Sequence, residues 1–149
     1  MITKTNVLTE IEIPGLNLHR KGKVRNVYDL DKHLLIVTSD RVSAFDYVLP
    51  DGIPHKGRVL THLSSHWFNY TKDIVQNHIV STDVATFPDQ LKPFSSILEG
   101  RSMYVKKTQL IEIECVVRAY LEGSGWKEYQ ESQTVCQQPL PKGLKRASK

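Results

Sequence analysis

The chain has 149 residues, 40% hydrophobic and 24% charged, and its 20 basic against 16 acidic side chains leave a formal charge of +4. That describes one globular domain long enough to bury a core. The mild positive excess suits phosphorylated small molecules and is too weak by itself to argue for nucleic acid. The opening MITKTNVLTEIEI alternates polar and apolar residues and offers no signal-peptide core. No run approaches the roughly 20 apolar residues of a membrane helix, so a cytoplasmic protein without a membrane partner is expected. Cys115 and Cys136 have neither metal nor redox spacing and read as reduced thiols.

In chain order, GKVRNVYDL (residues 22–30) and HLLIVTS (33–39) are strand candidates separated only by Asp31 and Lys32, which predicts a hairpin. Alternation along the first strand places Lys21, Lys23 and Arg25 on one face and Val24, Tyr28 and Leu30 on the other. A row of like charges repels itself, so that face is expected to meet an anion or open solvent. DRVSAFDYVLPDGIPHKG then reads as irregular, and Asp40, Arg41, Ser43 and Asp46 gather where ligand groups are often placed. Loop chemistry alone also accounts for the Asp and Ser residues. A helix is predicted over about 58–72, with Val59, Leu60, Leu63, Trp67 and Phe68 as its buried stripe. His62 and His66 stand at i, i+4 on that helix, but no third ligand accompanies them and no metal site is predicted in this chain.

HIVST reads as a short strand and PDQLKPFSSILEG as a short helix broken at Pro93. RSMYVKK and IEIECVVRAYL follow as consecutive strands, and GSGWKEYQES opens a further helix. The order β-β-α-β-α-β-β-α predicts an α+β domain, a largely antiparallel sheet with flanking helices. On the strand reading, Glu112, Glu114, Val116 and Arg118 share one face, opposite Ile111, Ile113, Cys115 and Val117. Arg118 then precedes Gly123-Ser124-Gly125, where glycines and a helix N-terminus admit an anion and arginine adds a planar fork. The spacing suits a phosphate pocket and a capped helix start with a surface ion pair equally well. The tail PLPKGLKRASK reads either as a solvated basic terminus or as a chain that stops before its fold is complete.

Two nucleotide motifs fail. Six residues rather than four separate Gly15 from Gly22-Lys23, Val24 follows where Ser or Thr is required, and no G-x-G-x-x-G occurs. A nucleotide on GKVRNVYDL would therefore be held by a one-glycine strand–loop–strand clamp with cations on the phosphate side.

GKVRNVYDL, SDRVSAFD, KGRVLTHLSSHWF, YVKK and IECVVRAYLEGSGWKEY occur here in that order, and from about residue 14 to the end the chain resembles the SAICAR synthetase family. The resemblance implies a nucleotide-binding fold akin to a kinase small lobe or ATP-grasp domain. It implies an ATP-dependent ligase of de novo purine synthesis that joins L-aspartate to the carboxylate of CAIR. The products are SAICAR, ADP and phosphate, formed through an acyl phosphate, with ATP and Mg2+ required. It further implies an N-terminal ATP-clamp domain over 1–110, with the hinge and the start of a second domain over 111–149. The remainder of that domain, including its magnesium-holding carboxylates, is absent, so an inactive fragment is expected.

Residue by residue, the resemblance assigns Gly22, Lys23, Val24 and Arg25 to the ATP phosphates, with Lys21 adding to the field. Lys106 becomes a nucleotide contact, and Leu110, Ile111 and Glu112 the linker that reads adenine. Arg118 and Ser124 become the pair that holds the CAIR phosphate. Asp40, Ser43, Ala44, Phe45 and Asp46 lie beside the reacting substrates, and Lys23, Arg25 and Asp46 are the catalytic candidates. Asn26 stands where many members of the family have Asp. A kinase-like phosphotransferase lobe is the alternative, weakened by the lack of H-R-D and D-F-G. A nucleic-acid module would need Tyr28, Trp67 and Trp126 to form one platform, and they lie on three elements, so no nucleic-acid partner is expected. Oligomeric state is not indicated.

Overall fold

The computed structural model describes residues 7–113 and 115–149. It divides into two compact units, Met1–Gln109 and Leu110–Lys149. The first is built on strands β1 (Asn17–Lys21), β2 (Arg25–Leu30) and β3 (His33–Thr38), followed by a two-residue pair, β4 (Ser43–Ala44) and β5 (Tyr47–Val48). Helix α1 (Lys56–Tyr70) leads to β6 (Ile79–Ser81). Two 3-10 turns, Val84–Thr86 and Asp89–Phe94, then run into the short α2 (Ser95–Leu98) and β7 (Ser102–Lys106). The main sheet is antiparallel throughout, in the order β1-β2-β3-β7-β6.

The predicted hairpin forms in the expected register, Leu30 opposite His33, and Asp31 takes the left-handed φ of 62° that Asp tolerates better than most residues. Register and alternation give the sheet two different faces. Tyr28, Leu35 and Val37 turn to one side and form the core with Ile11 and Ile13 from the N-terminal segment, Phe87 and Leu91 from the 3-10 turns and Leu98 from α2. Arg25, Val27, Ile36 and Met103 share the opposite face, beside α1.

Several expectations are corrected. Lys21, Lys23 and Arg25 do not line one strand: Lys21 ends β1, Lys23 lies in the turn with Gly22 and Val24, and Arg25 begins β2. Strand β1 went unread because only one of its five residues is apolar and all five are exposed, which leaves an edge strand without a hydrophobic signal. The SAFD stretch is a hairpin rather than an irregular loop, with Phe45 and Asp46 both at positive φ in its two-residue turn. Pro93 sits inside a 3-10 turn rather than breaking an α-helix. Helix α1 buries Gly57 and Thr61, not the predicted stripe: Val59, Leu60, Leu63 and Trp67 are exposed, Trp67 to 55%.

The second unit holds α3 (Gly123–Ser132), as predicted, and the small hairpin β8 (Thr134–Val135) and β9 (Gln138–Pro139), which was not. No strand forms over the described residues of 107–122, so the face-sharing of Glu112, Val116 and Arg118 does not arise; Glu114 lies outside the described residues. An alternating apolar pattern makes a strand only where a neighbour completes its hydrogen bonds, and among the described residues no strand pairs with this stretch. The basic tail is tied down by Leu121 N–H to Ser148 O (2.8 Å), Ala147 N–H to Leu121 O (2.9 Å) and a bidentate Arg146–Glu122 pair. Among the described residues no helix is long and apolar enough to cross a membrane.

Candidate anion-binding site

The β1–β2 turn forms the rim of a cleft of about 620 Å3 lined by Arg20, Lys21, Gly22, Lys23, Val24, Arg25, Val27, Ile36 and Ser43. Val27 of β2 and Ile36 of β3 supply the apolar floor, and the turn places cations along one edge. Lys21 Nζ reaches Glu10 at 3.1 Å and Lys23 Nζ pairs with the Asp46 carboxylate. Lys23, as an ammonium held on Asp46 by a hydrogen bond, keeps that carboxyl below its ordinary value. Among the described residues Arg20 and Arg25 have no carboxylate partner. A second, smaller hollow of about 190 Å3 continues past Val24, Arg25 and Ile36 to Thr61, Phe68, His78 and Met103, against α1. Burial lowers the His78 pKa, which favours its neutral form there.

The predicted loop residues separate into two groups. Ser43, Ala44, Phe45 and Asp46 are near the turn through the Lys23–Asp46 pair, and the Phe45 ring is 97% exposed at the hairpin tip. Asp40 is fully buried and is not available to a ligand. It accepts from Leu8 N–H (2.9 Å), from Gly57 N–H in the first turn of α1 (2.8 Å) and from both terminal nitrogens of Arg101 (3.0 and 3.3 Å). The helix has no side-chain cap of its own at His55, so Asp40 supplies the missing acceptor. Burial opposes ionisation of Asp40, but Arg101 and the two amides outweigh it and hold the carboxyl below 3.8. Gly57 is required at this junction, because a Cβ there would stand 2.3 Å from Thr38 O.

Lys106 pairs with His33, on the sheet face of Leu35 and opposite to that of Val27. Its neighbour Lys107, which the sequence reading passed over, donates from Nζ to Asp29 at 2.7 Å on the cleft's face, and this bond lowers the Asp29 pKa against the effect of burial. Arg20 was missed together with its strand, and Arg41 was noted only as a loop residue. His66 stacks against Tyr70, and among the described residues no three His, Cys, Asp or Glu gather as metal ligands. Cys115 and Cys136 are free and exposed.

In the second unit, Arg118 donates to Ser124 Oγ at 3.3 Å at the start of α3. Gly123, at a φ of 61°, lets the guanidinium lie against the helix start, since a Cβ would meet Arg118 Nη1 at 3.2 Å. Glu122, held ionised chiefly by its hydrogen bond with Arg146, stands beside them. An exposed guanidinium, a hydroxyl and the free amides of a helix start are all donors suited to a phosphate.

An antiparallel sheet with a cation-rimmed cleft, and a second unit with an arginine at a helix start, define an α+β protein whose exposed donors are of the kind that suit anionic oxygen. A family profile described as SAICAR synthetase matches residues 18–149. The phosphoribosylaminoimidazole-succinocarboxamide synthase of Citrifermentans bemidjiense is 50% identical over 145 residues, covering 97% of this chain and 49% of the relative. A solved SAICAR synthase superposes with a TM-score of 0.87 at 39% identity, covering 95% of this chain and 50% of that one. The Saccharomyces cerevisiae SAICAR synthase solved in complex with SAICAR gives a TM-score of 0.85 at 40% identity, with 94% and 50% covered. This chain belongs to the SAICAR synthetase family. It spans about half the length of the curated relatives it matches.

Proposed function

We propose that this chain holds ATP on the β1–β2 turn and the phosphate of CAIR at Arg118 and Ser124, in an ATP-dependent ligation of L-aspartate to CAIR in purine synthesis. The observation that carries the reading is the cleft of about 620 Å3 rimmed by Arg20, Lys21, Lys23 and Arg25 on an apolar floor. Purine and ribose suit the floor, and the triphosphate suits the rim. A carboxylate is a poor electrophile, so the γ-phosphoryl group passes from ATP to a CAIR carboxylate oxygen and ADP leaves. The aspartate amine then attacks the acyl carbon, the C–N bond forms as the C–O bond to phosphate breaks, and the amine loses a proton. In this reading Lys23 and Arg25 neutralise the phosphates, and binding ATP draws Lys23 from Asp46, freeing that carboxylate beside the substrates. Leu110, Ile111 and Glu112 are assigned to the adenine edge; Lys106, on the face opposite Val27, gives up its place at the nucleotide to Lys107, whose Nζ reaches Asp29 on the cleft's face. Magnesium would arrive with the triphosphate and supply positive charge against its oxygens.

Titration calorimetry of the 149-residue chain with ATP and with CAIR, separately, tests the assignment. Lys23→Ala and Arg25→Ala should each weaken ATP by about tenfold and leave CAIR unchanged. Arg118→Ala should weaken CAIR by about ten- to a hundredfold and leave ATP unchanged. Equal effects on both ligands, or none, would overturn it.

A further inference from the structure

The buried Arg41 is 5% exposed, and every polar atom of its guanidinium is engaged. Nε donates to Lys23 O (2.8 Å), Nη1 to Thr9 O (2.9 Å), and Nη2 to both Gly22 O (3.1 Å) and Asn26 Oδ1 (3.0 Å). Asn26 is itself oriented by donating from Nδ2 to Ile11 O at 2.9 Å. Ser39 adds two bonds to the next carbonyl, Val24 O, from its N–H (3.0 Å) and its Oγ (2.9 Å). Three successive carbonyls of the β1–β2 turn are thus fixed by two neighbouring buried side chains. The same guanidinium also faces the N-terminal segment, through Thr9 O and Glu10 Oε2 at 4.0 Å, so the turn is held against a fixed backing.

The consequence concerns the amides. Every peptide bond in the described chain is trans, so each C=O and the N–H that follows it point to opposite sides. Asn26, which Arg41 grips, turns to the core face of the sheet with Tyr28. Carbonyls drawn towards Arg41 therefore turn the N–H groups of Lys23 and Val24 away from the core face, to the side on which Arg25, Val27 and Ile36 form the cleft. Adjacent outward amides make a concavity for anionic oxygen, and fixing them beforehand removes the ordering cost of binding.

We propose that Arg41 is the positioning residue of this clamp. From behind the turn its guanidinium presets the Lys23 and Val24 amides as donors for a polyphosphate that it never touches. The proposal rests on the nucleotide-binding reading of the cleft and assigns that site a backbone component beyond its exposed cations.

Amide NMR of the 149-residue chain, titrated with inorganic triphosphate and then ATP, tests both levels. In the wild type the Lys23 and Val24 amide signals should be among those that move most, while the Arg41 Nε–H signal persists without a change of partner. Arg41→Lys keeps the charge but lacks the planar fork whose three nitrogens span the Lys23, Thr9 and Gly22 carbonyls and Asn26 Oδ1, and Arg41→Gln removes the charge. Both should bind triphosphate about tenfold more weakly, with Lys worse than a charge-only role allows. The remaining sheet signals should stay at their wild-type positions. Wild-type binding with unchanged affinity in a folded Arg41→Lys variant would overturn the Arg41 proposal alone. If either variant fails to fold, the wild-type titration still decides: binding that moves other signals and leaves the Lys23 and Val24 amides in place overturns it. No binding of triphosphate or ATP by the wild type would overturn the nucleotide reading and this proposal together.

Discussion

At the scale of single residues, the consecutive Ser39, Asp40 and Arg41 illustrate how far a polar side chain's role depends on burial. Asp40 and Arg41 read from the sequence as loop chemistry and Ser39 as the end of a strand, and all three are buried. Asp40 closes a pair with Arg101, whose own side chain is 6% exposed. Asp40→Asn keeps the shape and leaves the Arg101 charge buried without its counter-ion, which typically costs about 3–5 kcal/mol. The pH dependence has a definite sign. The folded carboxyl is held below its ordinary 3.8, so its contribution is complete above that value and is lost as pH falls through the lower folded-state value. The gap between wild type and Asp40→Asn in urea midpoint should be wide at neutral pH and should close only in acid below 3.8. A gap that widens on acidification would mean that Asp40 is not ionised in the folded protein. What the sequence could not disclose was the partner, 61 positions away along the chain.

At the scale of elements, legibility follows the hydrophobic signal. The β2–β3 hairpin, β7 and α3 were readable because apolar alternation, or a glycine-marked start, coincided with burial. The same logic misled at Ile111, Ile113, Val116 and Val117, where β-branched residues stay exposed without a partner strand. It misled again on α1, whose large apolar residues face outward while Gly57 and Thr61 make the contact with β3. There the close approach matters more than the area covered: Thr61 Oγ1 lies 3.3 Å from Thr38 Oγ1, and the helix start abuts the Thr38 and Ser39 carbonyls. Gly57→Ala should therefore cost about 1–3 kcal/mol or more, because the added methyl meets rigid backbone. Leu63→Ala, on the exposed stripe, should stay within about 0.5 kcal/mol. Urea denaturation of both variants ranks them, and a larger loss for Leu63→Ala would show that the stripe is covered in solution. For the candidate site, the cations of the turn were legible as residue types, but their arrangement was not: the clamp is a turn between two strands, and its first strand left no pattern to read.

At the scale of the whole molecule, the two units are joined by a stretch in which the sequence presented a short connection, residues 108–111, running into a strand. Its described residues from 108 to 120 are exposed and take part in no backbone hydrogen bond, whereas the exposed stretch after α1 is held by Thr71 N–H to Trp67 O (3.0 Å) and Ile74 N–H to Thr71 O (2.9 Å). Proteases require an extended, locally unpaired substrate, so cleavage reports the free energy of opening a segment. Trypsin can cut this stretch after Lys106, Lys107 or Arg118, and Lys32 and Lys72 offer competing sites inside the first unit. Lys32 sits in a two-residue turn between paired strands, where cleavage demands that β2 and β3 separate. Under brief, dilute digestion, the first cut that divides the chain into two large pieces should fall between residues 106 and 118. Intact-mass spectrometry of the early products identifies it directly. A first division at Lys32 or Lys72 would mean that the sheet opens more readily than the connecting stretch, and that the 107–122 segment is held by bonds this structure does not contain.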